Sequence, residues 1–279
     1  MSHHSRIENH ESTDKNDFRF PIENENSNDS RFYLHNVYEQ AFNGNVGAPV
    51  HEKLQSGAKV LEFGCEIGIW STEVAAEYPN TKFYAIDSFP NLPDSIDNIT
   101  FIECDTIKKI PFPDNEFDYV SFKEKALTME KDAFQKVLSE IIRAVYTYKK
   151  NHAHGPAFTR LFNAWESWLK TYNVDYDIMM NFENYLQETG KTEYISHKVV
   201  EFQTGSESGH AFGEFMLEQL VFFFRNTKDH MAPFMNISFE EFDNLMNNIE
   251  SELNVKDSQL TIRCKQVLAR KKSAHSEGK

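Results

Sequence analysis

Hydrophobic positions are spaced unevenly along the chain, and the spacing divides it into stretches of different kinds. Residues 1–30 are rich in Asn, Ser, Asp, Glu and His, with few apolar anchors. Such a segment buries too little surface to offset the entropy of ordering it, so a disordered polar tail is expected. Arg31 to Gln55 carries aromatics at helical spacing (Phe32, Tyr33, Tyr38, Phe42), broken around Gly44–Pro49. From Ala58 the period shortens. Lys59–Phe63 (KVLEF), Lys82–Ile86 (KFYAI), Ile99–Ile102 (ITFI) and Phe117–Phe122 (FDYVSF) are short apolar runs. Helical patterns over Ile69–Tyr78 and Lys131–Val145 alternate with them. That alternation predicts an α/β fold with a doubly wound, mostly parallel sheet.

After Gly155-Pro156 the pattern turns to aromatic helices. Phe158, Leu161, Phe162, Trp165, Trp168 and Leu169 share one face by i, i+3, i+4 spacing, a face expected to pack as core. Further helices are predicted over Asp175–Glu188, Ala211–Arg225 and Ser238–Leu253, and strands over Glu193–Gln203 and Leu260–Leu268. The resulting division is a tail (1–30), one domain (31–270) and a basic frayed end (271–279). Within the domain, 58–145 forms a cofactor-binding half, and 156–192 and 209–253 form helical lid or cap segments.

Composition narrows the function classes. Of 279 residues, 43 are acidic and 29 basic, for a net charge of -14. That balance argues against a nucleic-acid partner. Mean hydropathy is -0.58, and no run reaches the ~18 apolar residues of a membrane helix; Phe215–Phe224 is short and holds Glu218. No apolar leader opens the sequence. Cys65, Cys104 and Cys264 fit neither a disulfide framework nor a zinc spacing. A reducing, intracellular setting, cytoplasmic or nuclear, is expected, with no metal. His152 and His154 are expected in a solvated loop, and Gly205–Gly213 as a linker, since it lacks the ending of a phosphate loop.

The chemistry concentrates in Val60–Trp70, where a strand ends in an acidic residue, turns through glycines and opens a helix. Gly64 and Gly68 permit a tight turn and close backbone approach to a ligand at the carboxyl edge of a sheet. Asp87 ends the second strand nineteen residues after Gly68, placed to accept from two ribose hydroxyls. Asp105 ends the third, at a position suited to an adenine amino group. A dinucleotide site expects G-x-G-x-x-G. Gly64-Cys-Glu-Ile-Gly68 lacks the last glycine and carries Glu66, whose charge opposes a pyrophosphate and suits a cation.

At these residues the chain resembles the class I, seven-stranded S-adenosylmethionine-dependent methyltransferases. Leu61–Gly68 (LEFGCEIG) resembles their motif I, Ala85-Ile86-Asp87 the ribose-binding strand end, and Phe101–Asp105 the adenine-binding one. Ile110–Val120 (IPFPDNEFDYV) is similar to the run leading into strand four. Pro156–Trp168 and Leu260–Arg270 are more loosely similar to the later half of fungal members. The resemblance implies S-adenosyl-L-methionine as cofactor and a small-molecule acceptor. It implies that Glu62, Gly64 and Gly68 shape the methionine end, with Cys65 and Glu66 in the same loop. Asp87, followed by Ser88, would hold the ribose, and Asp105 with Thr106 the adenine. Phe122 and Lys123 would border the methyl group. In-line methyl transfer rests on positioning and desolvation, so no catalytic base is assigned.

Two departures stand against that pattern. Glu66 replaces the family's central glycine, with strain expected if its φ is positive. The family's K-P-G-G turn and fifth strand are missing from Tyr146–Pro156, where a helix is expected to continue through Ala144–Tyr148 and the sheet to be reduced or distorted. A catalytically impaired relative with a protein partner is therefore the alternative function. A nicotinamide oxidoreductase is a third, opposed by the glycine order and the absence of a Tyr-x-x-x-Lys dyad.

Overall fold

In β1 (Lys59–Phe63), Val60, Leu61 and Phe63 are all buried, so the strand has no solvent face. Such a strand belongs inside a parallel sheet covered on both sides. The computed structural model places it there; it describes residues 27–88, 94–104, 110–113, 115–122, 147–148, 155–174, 182–203, 211–254 and 261–272. β1 lies between β2 (Lys82–Asp87) and β4 (Tyr119–Phe122). β3 (Ile99–Glu103) pairs with the outer side of β2, giving the parallel order β3-β2-β1-β4. Phe63 is in register with Ile86 and Phe122, and Asp87 with Glu103. The carboxyl ends of four strands therefore form one edge.

Both faces of this sheet are covered. α3 (Ile69–Glu77) packs Trp70, Val74 and Ala75 against Val60, Phe83 and Ile99. On the other face Leu61, Phe63 and Ile86 meet Phe182 and Leu186 of α5 (Phe182–Glu188) and Val267 of β7 (Thr261–Lys271). Part of the expected lid segment 156–192 thus packs into the sheet core.

β7 belongs to a second sheet. It pairs antiparallel with β6 (Thr192–Gln203) on one side and with β5 (Thr147–Tyr148) on the other. The helix expected to run through 148 gives way there to a two-residue strand. Thr and Tyr favour extended backbone, and the edge of β7 offers them partners at Ile262 and Arg263. Residues 144–146 and 149–154, including His152 and His154, lie outside the described residues. The hydrogen-bonded ladders of the described residues stop at β4 and resume at β5. A groove of about 1070 Å³ opens between Leu61, Tyr119 and Val120 on one side and Tyr194, Leu268 and Ala269 on the other.

α4 (Pro156–Thr171), α6 (Ala211–Asn226), α7 (Lys228–Phe234) and α8 (Phe239–Leu253) have a core of their own. Leu161, Trp165, Phe224, Phe242 and Met246 meet there, so the aromatic face of α4 is core, as its spacing implied. Hydrogen bonds close the helix ends. Glu252 accepts from the first free backbone N–H groups of α4, at Ala157 (2.9 Å) and Phe158 (3.0 Å). Ser238 and Glu241 form a capping box on α8.

The ends differ from expectation. α1 (Ser27–Phe42) begins inside the stretch assigned to the tail, since a polar first turn is tolerated once later turns are anchored. Lys271 closes β7 and Lys272 donates its N–H to the Lys191 carbonyl, so pairing with the long β6 orders the start of the basic end. α2 (His51–Ser56) leads into β1.

Candidate functional site

The carboxyl edge of the parallel sheet is built by the loop from β1 to α3. Gly64, Glu66 and Gly68 all adopt left-handed backbone, with φ of 74°, 50° and 75°. Gly64 and Cys65 donate their N–H groups to the Ile86 carbonyl at 2.8 and 3.1 Å, which ties the loop to the end of β2. Gly68 then caps α3, donating to the Cys65 carbonyl at 2.8 Å. The glycines supply the conformation at no steric cost, whereas Glu66 adopts it as a side-chain-bearing residue.

Glu62, Asp87 and Glu66 each have a partner at this edge. Glu62 is buried at the end of β1 and accepts from Ser71 N (3.2 Å) and Ser71 Oγ (2.6 Å) in the first turn of α3. A carboxylate there satisfies an otherwise free N–H and opposes the positive end of the helix dipole. Asp87 is 2% exposed, and its Oδ2 accepts from the Glu66 N–H at 2.8 Å. The Glu66 carboxylate meets the Arg31 guanidinium of α1 at 3.2 Å.

The structure brings Glu62, Gly64, Cys65, Glu66, Gly68 and Asp87 together at one edge, with Ser88 exposed beside them. Cys65 is buried against the sheet. Phe122 ends β4 at the same edge, but its ring is wholly buried and packs on Phe63 at 5.4 Å. Asp105, Thr106 and Lys123 lie outside the described residues. Sequence reasoning read helical spacing from Arg31 onward but missed that α1 borders this edge. Arg31, Leu34, His35 and Tyr38 line a cavity of about 60 Å³ with Glu62 and the Gly64–Ile67 backbone. No local signal ties residue 31 to residue 66, because the contact joins distant elements.

The opposite, amino-terminal edge carries a different network. Asp118 accepts from the Lys59 N–H (2.9 Å) and pairs with Lys53 (2.6 Å). Burial pushes the Asp118 carboxyl up, but bonds from Lys53 and the Lys59 backbone outweigh it and leave the pKa below its ordinary value. The Lys59 ammonium is raised by its hydrogen bond and attraction to Glu116. The 1070 Å³ groove borders this edge through Glu116, Asp118 and Tyr119, away from the glycine loop.

Among the described residues no helix is long and apolar enough to cross a membrane, and no group of His, Cys, Asp and Glu could hold a metal ion. Comparison with solved structures finds distant likenesses. Phosphoethanolamine N-methyltransferase 2 of Haemonchus contortus, solved with phosphomonomethylethanolamine and S-adenosylhomocysteine, is 14% identical with a TM-score of 0.46. The match covers 91% of this chain and 60% of that one, so the chain spans about 60% of that enzyme's length. A cyclopropane synthase of Mycobacterium tuberculosis is 13% identical with a TM-score of 0.48, covering 83% of this chain and 82% of that one. No curated protein sequence matches. The family model described as methyltransferase domain matches residues 60–147, from β1 to the start of β5.

Proposed function

We propose that the chain is an S-adenosylmethionine-dependent methyltransferase acting on a small-molecule acceptor. One observation carries the reading: the left-handed turn at Gly64 and Gly68 stands beside the Asp87 carboxylate at a single strand edge, within the matched methyltransferase domain. Open α/β sheets bind ligands at this edge. The donor set suits a nucleoside without a pyrophosphate, since carboxylates accept ribose hydroxyls and Glu62 and Glu66 repel phosphate. The cavity between α1 and the glycine loop, about 60 Å³, is far below the roughly 300 Å³ at which small-molecule pockets begin, so a ligand entering it would displace α1.

When bound, the cofactor supplies a sulfonium-activated methyl group. The chain's own part is positional. Ser71 fixes the Glu62 carboxylate beneath the loop. The Asp87–Glu66 bond holds the loop against β2, and the Asp87 carboxylate would accept from the ribose hydroxyls. Phe122, at the end of β4, would stand behind the methyl end of the site; Asp105 and Thr106 for the adenine, and Lys123 for the methyl group, are assigned from the sequence resemblance and lie outside the described residues. Residues 31–270 act as one domain, with α4, α6, α7 and α8 as its cap.

Glu66 favours a second reading. A side chain at a glycine position, in left-handed backbone and beneath α1, suits a relative that keeps the fold as a binding module with a protein partner. Calorimetry with S-adenosylmethionine and with NAD separates the two. Binding of the former alone supports the enzyme, and binding of neither supports the module. Binding of NAD alone overturns both.

A further inference from the structure

We propose that α1 is a latch over the strand-end cavity, held shut by the Arg31–Glu66 ion pair, and that its opening sets how fast ligand enters. The gating half rests on reading that edge as a nucleoside-cofactor site. Arg31, His35 and Tyr38 form the α1 side of the 60 Å³ cavity, so the helix closes one side of it.

The two ends of α1 are held differently. Near its middle, buried His35 meets Glu73 of α3 at 2.6 Å, and Asn45 donates to the same carboxylate oxygen at 2.9 Å. At its end, Phe42 packs with Met216 of α6 and Cys264 of β7, with Tyr38 against the same cluster. These contacts anchor the carboxyl-terminal half to three other elements, α3, α6 and β7. Further toward the amino terminus, the Arg31 and Glu66 side chains are 17% and 35% exposed, and Phe32 stands in solvent. Both side chains keep some contact with water, so the ion pair is open to screening by salt. The helix is therefore pivoted at His35–Phe42 and latched at Arg31.

This arrangement gives a reason for a glutamate where glycine would sit without strain. At φ 50° a side chain costs energy, and the carboxylate it carries closes the helix over the cavity. The latch breaks when Arg31 and Glu66 separate, and the cavity then opens toward solvent.

The experiment uses the full chain with Arg31→Gln, Glu66→Gln, the double variant and the charge-exchanged Arg31→Glu/Glu66→Arg pair. Amide hydrogen exchange without ligand is expected to rise roughly two- to fivefold over the amino-terminal half of α1 in each single variant, the range an exposed ion pair allows. The double variant is expected to add nothing, the exchanged pair to restore protection, and the Phe42 end to stay unchanged. Stopped-flow association of S-adenosylhomocysteine is expected to accelerate by the same factor in the single variants, and in wild-type protein at 1 M salt. Unchanged exchange in α1, or independent effects that add in the double variant, overturns the latch. Raised exchange with no change in association rate overturns the gating. Raised exchange with no ligand binding to any of the proteins supports the latch and removes the cofactor reading instead.

Discussion

Replacing Glu66 by glycine separates backbone strain from side-chain charge at the strand-end loop. With φ at 50°, the glutamate carries about 1–2 kcal/mol of left-handed strain that glycine relieves. Against this stand the ion pair to Arg31, about 0.2–1 kcal/mol for exposed partners, and the extra freedom of glycine in the unfolded chain, about 0.5–1 kcal/mol. The gains and losses cancel, so Glu66→Gly should leave unfolding free energy within about 1 kcal/mol of wild type by urea titration. The Asp87 bond survives, because it is made to the residue 66 backbone N–H. Ligand affinity should change instead, since the substitution clears a side chain from the loop and unlatches α1. Calorimetry should show S-adenosylmethionine bound several-fold more tightly. A stability loss above about 2 kcal/mol would refute the strain argument, and unchanged affinity would refute the claim that Glu66 obstructs the site.

Four further outcomes follow from particular contacts. Glu252→Ala should cost about 1–3 kcal/mol in chemical denaturation, because two backbone N–H groups at the start of α4 lose a charged acceptor. Gly155→Ala should destabilise in the same direction, since its Cβ would fall 2.0 Å from the Glu252 carboxyl carbon and push the cap away. Leu161→Ala, at a position with no exposure in the helical core, should cost about 2–5 kcal/mol, read from the denaturation midpoint. Asp118 has a folded pKa below its ordinary 3.8, so its contribution is fully present above that value and is lost as pH falls through the lower folded one. Asp118→Asn should therefore flatten the acid limb of the stability–pH curve below about pH 4; an unchanged limb would show that the Lys53 and Lys59 contacts carry nothing.

Much of the strand-end architecture was legible in the residues. The run KVLEF is apolar on both faces and ends in Glu62-Phe63-Gly64, which reads as an inner strand entering a turn. The helix face of α4 was equally plain, because i, i+3, i+4 spacing marks a buried stripe wherever the partner lies. The possibility of positive φ at Glu66 followed from its replacing a turn glycine, and the backbone adopts it. Less legible were short elements. Two residues at Thr147–Tyr148 carry no periodicity of their own, and only the neighbouring edge of β7 makes them strand. α7, with Pro233 near its end, is likewise too short to signal itself.

What the sequence determined by itself is local: which segments are helix or strand, which face of each is apolar, where a turn needs glycine, and which carboxylates end the strands. Tertiary structure alone decided partners. It set α1 across the glycine loop so that Arg31 meets Glu66, turned Asp87 onto the Glu66 N–H, and divided the strands between two sheets with a groove between them. The reason is physical. Periodicity records that a face must be buried, but not against what. Contacts between distant segments are selected by the packing of the whole chain, where the cost of closing a loop grows only slowly with its length and so discriminates little among partners.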